Sequence, residues 1–163
     1  MFLRQLVQFA IGAAGLGIAS HFIGEAIPVS ALRPDRFPFA PFRWERGGRI
    51  YQKVGAQKWK LWLPDKSRYV GSMVPKNLKG DHSREHMARL VIETCRAELV
   101  HVILLLLSPI FLLYLAPGYR TLFATLYGVS HFPFIIVQRY NRPRLRRLLA
   151  YYDGAASWRW QAT

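Results

Sequence analysis

Three apolar stretches, parted by polar and charged ones, set the organisation of the chain. The first covers residues 2–27 and is broken near its start by Arg4, Gln5 and Gln8. Its centre is rich in small residues, with Gly12, Ala13, Ala14, Gly15, Gly17 and Ala19 close together. That density lets helices approach closely in lipid. The second stretch covers residues 100–116 and contains Leu104-Leu105-Leu106-Leu107, and the third covers residues 122–137. Pro117-Gly118 between them is a turn signal. A membrane-spanning helix needs roughly 20 apolar residues, with a usual range of about 17–25. The last two stretches are short by that measure. They fit a transmembrane hairpin whose helices begin inside amphipathic flanks, or a re-entrant pair. The first stretch is expected to be a retained helix. A cleavable signal peptide is the rival, with only Arg4 as its basic start and a poor cleavage context at Ala19-Ser20-His21.

The polar flanks carry their own signals. Residues 28–81 are rich in Pro, Gly and aromatic side chains and read as loop with short helical pieces. Gly47-Gly48-Arg49-Ile50-Tyr51 opens one piece and Gly55 ends it. Asp81 or Ser83 is the expected cap of a longer helix, with Glu85 in its first turn. No Gly or Pro interrupts that helix until Pro109. At about 100° per residue, His86, Glu93, Ala97 and His101 drift slowly along one face. His101 is the last polar residue before Val102-Ile103-Leu104. The predicted architecture is an all-α membrane protein of one domain. It has a first helix over residues 1–27, a basic, aromatic-rich interfacial segment over 28–84, an amphipathic helix running into the second span over 85–116, a third span over 119–137, and a basic tail over 138–163.

Charge sharpens this picture. The chain has 163 residues, is 52% hydrophobic, and still carries a formal net charge of +14. Charge and apolar sequence are segregated, and Arg120 is the only formal charge between Leu99 and Val137. Segregation favours membrane insertion over nucleic-acid binding, for which the interleaved Lys58-Trp59-Lys60 is the local argument. The excess of Lys and Arg in residues 28–99 and after Val137 predicts that both segments face the cytoplasm. The N-terminus and the turn near Tyr119-Arg120 then lie outside. The lone Cys95 excludes an intrachain disulfide and reads as a packed helical residue.

Candidate chemistry gathers at the edges of the apolar stretches. Residues 132–145 change abruptly from Phe132-Pro133-Phe134-Ile135-Ile136-Val137 to Gln138-Arg139-Tyr140-Asn141-Arg142-Pro143-Arg144. Such a junction suits a membrane surface, where Arg meets headgroups or an anionic substrate. A protonatable His101 at the membrane edge is a functional candidate. A neutral histidine bonded to a carbonyl is the plainer reading. Glu93 or Glu98 is expected to pair with Arg139, Arg142 or Arg144. Phosphate-binding glycine loops, nucleophile elbows and zinc spacings do not occur, and His82 with His86 lacks further ligands for a metal.

These residues also carry a resemblance. Ile92-Glu93-Thr94-Cys95-Arg96-Ala97-Glu98-Leu99-Val100-His101 and Val137-Gln138-Arg139-Tyr140-Asn141-Arg142-Pro143-Arg144-Leu145 are similar to two blocks of the glycosyl-4,4'-diaponeurosporenoate acyltransferase family. A weaker third block runs from Phe42-Arg43-Trp44-Glu45 through Gly48 and Tyr51 to Lys58-Trp59-Lys60. The resemblance covers about residues 37–149. Val102 and His131 depart from the family pattern, where Trp and Asn are expected.

The resemblance implies a bacterial inner-membrane enzyme of carotenoid biosynthesis. It would move a fatty acyl group from acyl-CoA or acyl carrier protein onto a sugar hydroxyl of a glycosylated carotenoid or related glycolipid, with no bound cofactor or metal. Such chemistry needs a base for the hydroxyl proton and donors for the developing oxyanion. His101, assisted by Glu98 or Glu93, is the expected base, and His131 is its rival. Arg139, Asn141, Gln138 and Tyr140 are expected donors to substrate. Arg142 and Arg144 would hold phosphates of the donor's carrier, and Arg96 and Trp59 complete the candidate set. Trp59 and Trp62 equally fit plain interfacial anchors. Two other functions fit the residues: a non-catalytic protein binding anionic lipid or a partner through its basic face, and acylation of a glycolipid that is not a carotenoid.

Overall fold

The computed structural model describes residues 1–63 and 83–153. The expected cap at Asp81 and the candidate ligand His82 lie outside these. Among the described residues every regular element is helical. The helices are α1 (Phe2–Ala26), α2 (Ile50–Lys53), α3 (Ala56–Trp59), α4 (Arg84–Leu107), α5 (Phe111–Tyr114), α6 (Pro117–Ser130) and α7 (Phe132–Tyr152). Three helical stretches are long and apolar enough to cross a membrane: Phe2–Ala26, Arg84–Tyr114 and Pro117–Tyr152. The protein is therefore an all-α membrane protein with one N-terminal span and two C-terminal ones.

Local chemistry sets the ends of these elements. Ser83 Oγ accepts the His86 backbone N–H at 3.2 Å, which satisfies one of the orphan donors at the start of α4. Pro109 falls in a tighter turn, Ser108–Ile110, between α4 and α5. The backbone is extended at Leu115 and Ala116, and Pro117 then starts α6, where its missing N–H costs nothing. Residues 138–152, expected within a basic tail, continue α7 as helix even though Pro143 lies inside it.

The chain divides into two compact units, Met1–Leu32 with Arg96–Gln138, and Arg33–Cys95 with Arg139–Thr163. The first holds the apolar bundle. Its core is Leu104, Phe111, Leu115, Phe123, Ala124 and Tyr127, with Phe9, Ala13 and Leu16 of α1 packed against it. Phe9 stacks on Phe123 at 4.7 Å between ring centroids and meets Phe111 at 4.9 Å. Gly12 makes this approach possible, because a Cβ there would lie 1.9 Å from Tyr114 Oη. Gly15 and Gly17 face open space, so the small-residue run is used for packing at only some of its positions. Buried Gln5, at the start of α1, accepts the Ala116 backbone N–H at 2.8 Å. A polar residue that interrupts the apolar pattern thus satisfies the hairpin turn. Leu3, Leu106 and Leu113 point outward, as side chains bathed in lipid do.

The second unit holds the basic half. Its buried apolar residues include Phe39, Tyr51, Ala56, Met87, Leu90, Val91, Cys95 and Tyr140. Here Pro143 finds its place. Proline cannot donate to the carbonyl four residues earlier, which belongs to Arg139. The backbone of Gly48 comes up against this stretch. A Cβ on Gly48 would sit 3.4 Å from the Tyr140 carbonyl oxygen and 3.5 Å from that of Arg139. Arg46, Gly47 and Gly48 all have positive φ, and this left-handed turn leads the chain from Glu45 into α2.

Candidate active site

Two groups of candidate residues emerge, one in each unit. In the first, His101 on α4 and His131 between α6 and α7 face each other through Nδ1 atoms 3.1 Å apart. The ring of Phe134 stacks on His101 at 4.4 Å, and the Tyr127 ring meets His131 edge-on at 4.6 Å. His131 is buried and His101 half-buried. Positions 131, 134 and 138 recur at helical spacing, so Gln138 continues the face that carries His131 and Phe134. Gln138 is 4% exposed, and its Oε1 has no hydrogen-bond partner among the described residues. Glu98, one turn before His101, is buried, and Arg96 is half-buried beside Gly24.

The Nδ1–Nδ1 contact restricts the protonation of the pair. One ring must donate and the other accept. When His101 carries the shared proton on Nδ1 and gives it to His131, the His101 Nε2 keeps a lone pair. That atom is then able to take a proton, as in a histidine whose second nitrogen is held by a partner.

The second group centres on a buried carboxylate. Glu45 is 1% exposed. It accepts from Tyr51 Oη at 2.5 Å, from Arg139 Nη1 at 2.7 Å and from the Phe42 backbone N–H at 2.8 Å. Arg139 also donates to the Pro38 carbonyl at 2.6 Å and lies over the Phe42 ring. Glu45 is thus an ion-pair partner of Arg139, at 2.7 Å. Arg142, 1% exposed, donates to Thr94 Oγ1, the Thr94 carbonyl and the Phe39 carbonyl at 2.9, 2.9 and 2.7 Å. Its guanidinium is directed into the protein. Glu93, one position before Thr94, is half-buried.

Beyond them the surface turns basic. Lys60 donates to Asn141 Oδ1 at 3.2 Å, and its ammonium lies 5.0 Å from the centre of the Tyr140 ring. The Arg144 guanidinium lies 3.6 Å from the same ring centre. Burial, and after it the Arg144 charge, pulls the Lys60 amine below the ordinary lysine range. Trp59 donates from its indole to the Val54 carbonyl at 2.9 Å and is half-buried, while Trp62 is 86% exposed.

The structure thus brings His101 together with His131, and it sets Arg139, Tyr140, Asn141, Arg142 and Arg144 on one helix whose side-chain partners include Glu45, Thr94 and Lys60. Sequence reasoning gave no role to these last three. Glu45 and Lys60 sit inside the third resembling block and Thr94 inside the first, so their positions were marked without their contacts being visible.

Comparison with known proteins identifies the family. Residues 35–151 match the family described as glycosyl-4,4'-diaponeurosporenoate acyltransferase. Proteins of that name from Staphylococcus aureus strains bovine RF122 / ET3-1 and MRSA252 are each 31% identical over 129 residues, covering 78% of this chain and 77% of theirs. No solved structure matches. A family match of this length, carrying the His101 block and the whole Arg139–Arg144 stretch, places the chain in the glycosyl-4,4'-diaponeurosporenoate acyltransferase family.

Proposed function

We propose that this acyltransferase moves a fatty acyl group from acyl-CoA or acyl carrier protein onto a sugar hydroxyl of a glycosylated carotenoid or a closely related glycolipid. Both substrates are amphiphiles, so each keeps its tail in the bilayer and offers its reactive end at the surface. The observation that carries the mechanism is the 3.1 Å contact between His101 and His131.

His101 Nε2 takes the proton of the attacking sugar hydroxyl as its oxygen bonds to the thioester carbonyl carbon. His131 accepts from His101 Nδ1, fixes the ring and stabilises the imidazolium that forms, a role filled by a carboxylate in other triads. The tetrahedral intermediate then collapses. The C–S bond breaks, and the leaving thiolate receives the proton from His101. Buried Gln138 supplies an amide N–H to the oxyanion, or an acceptor to the sugar through its open Oε1. Glu98 and Glu93 lie one and two turns earlier on α4 and set the electrostatics around His101. Arg96 and Trp59 remain on the substrate side of this reading. Within the second unit Arg139 and Arg142 are held by Glu45, Pro38, Thr94 and Phe39, and Asn141, Tyr140 and Arg144 are the residues there that this reading assigns to substrate.

The basic segments lie on the cytoplasmic side of a bacterial inner membrane, with the N-terminus outside, because Lys and Arg concentrate in them. An acyl donor made in the cytoplasm reaches the site directly in that orientation.

The test is lipid analysis of cells with and without the protein, followed by the purified enzyme with a glycosylated carotenoid and acyl-CoA. An acylated carotenoid glycoside that depends on the protein supports the reading. An acylated glycolipid of another kind, with the carotenoid untouched, contradicts the proposed acceptor.

A further inference from the structure

Arginine and lysine side chains that share a half-buried surface normally have a carboxylate between them. Lys60 and Arg144 have none among the described residues. Both are half-buried against the ring of Tyr140, which is itself buried. Among the described residues neither is paired with a carboxylate. Lys60 donates to a neutral amide oxygen on Asn141, and Arg144 donates to the Tyr140 backbone carbonyl at 2.9 Å.

Two like charges brought together this way repel, and partial burial raises the penalty. Burial first, and the Arg144 charge after it, lowers the basicity of Lys60. The fold keeps the pair all the same. Tyr140 is buried, and each cation lies over its ring. A Cβ at Gly48 would come within 3.4 Å of the Tyr140 carbonyl oxygen. A pair of cations with no carboxylate partner among the described residues is suited to an anionic ligand. Lysine offers a point charge and arginine a planar fork, a combination suited to phosphate oxygens.

We propose that Lys60, Arg144 and Asn141, set on the Tyr140 ring, form a binding site for a phosphate group carried by an amphiphile. Two sources share that chemistry: the phosphate of the acyl donor's carrier and the headgroup of an anionic phospholipid. The identity of the source rests on the acyltransferase reading; the site itself does not. Lys60 is the new member, since Arg144 was already a candidate for phosphate and Lys60 was not.

The test uses the full-length protein in phosphatidylcholine nanodiscs, with coenzyme A as one probe and phosphatidylglycerol retained through purification as the other. If the phosphate belongs to the acyl donor, Lys60→Gln and Arg144→Gln each weaken coenzyme A binding roughly tenfold, the loss of one charge-assisted contact. Lys60→Arg then keeps it. If the phosphate belongs to a lipid, coenzyme A binding stays constant, while phosphatidylglycerol found by mass spectrometry with the wild type is lost from both Gln variants. Either result supports the site and names its source. A second measurement needs no variant: labelling of the Lys60 amine by an acylating reagent slows when the bound probe is present. Unchanged binding of both probes in both Gln variants, or labelling indifferent to both probes, overturns the proposal. Acyl transfer lost while binding persists counts against the assigned reaction and leaves the site standing.

Discussion

Arg139 and Glu45 stand 94 positions apart in sequence, and their side chains meet at 2.7 Å. Glu45 is 1% exposed at its side chain and Arg139 11%. A carboxylate this deep is stable because three donors surround it: the guanidinium, the Tyr51 hydroxyl and the Phe42 backbone N–H.

Removing that acceptor leaves a nearly buried cation behind. Breaking one half of a buried pair costs about 3–5 kcal/mol. Glu45→Ala is therefore expected to lower the apparent melting temperature of the purified protein strongly. Glu45→Gln keeps the shape and one accepting oxygen and is expected to lose less than Glu45→Ala. Equal melting temperatures for wild type and Glu45→Ala would show that the cluster contributes no stability.

Arg142 makes a second long-range tie, reaching one residue of α4 through a side-chain and a backbone oxygen. A lysine at 142 presents one ammonium and cannot satisfy three acceptors lying in different directions. Arg142→Lys is expected to behave like Arg142→Met in thermal unfolding, with both well below wild type. Thr94→Val removes one acceptor and is expected to cost about 1–3 kcal/mol. A lysine variant as stable as wild type would refute the structural role.

Gly48 is a left-handed backbone position in the second unit. Its φ of +87° disfavours any side chain, while an added methyl group would reach contact distance of the Tyr140 carbonyl. Gly48→Ala is expected to destabilise by about 1–2 kcal/mol from the left-handed geometry alone. Gly15→Ala, facing open space in α1, is expected to change melting by little. Similar effects at the two positions would contradict this account of the turn.

Much of this architecture is legible from apolar periodicity. The three spans, the turn at Pro117 and the helix start at Ser83 follow from local signals. The extension of α7 to Tyr152 does not. An internal proline and a run of arginines read locally as a helix end. The helix persists because Arg142 finds Thr94 and Phe39, and because a glycine 95 residues before Pro143 fits its backbone against the disturbed turn. The candidate site divides in the same way. His101 is marked by its depth at the end of a polar face. His131 reads from sequence only as a competitor, since nothing local shows that 30 residues later a second imidazole meets the first. Glu45 and Lys60 are ordinary charged residues in a basic segment until the fold supplies their partners.

Orientation is open to direct measurement. Reporter fusions after Leu63 and after Thr163 are both expected to read cytoplasmic, following the bias of Lys and Arg. A periplasmic signal after Leu63 would reverse the assignment and deny a cytoplasmic donor direct access.

The central claim is that His101 takes the hydroxyl proton with His131 holding its other nitrogen. The most direct measurement is the single-turnover rate of acyl transfer by His101→Ala in nanodiscs, beside wild type and His131→Ala, with melting curves for all three. Loss of a general base typically costs on the order of 10²–10⁴-fold in rate. The account predicts a fall of that size for His101→Ala, a smaller fall for His131→Ala, and donor binding retained in both. A wild-type rate in a folded His101→Ala, whether or not His131→Ala is impaired, would contradict it.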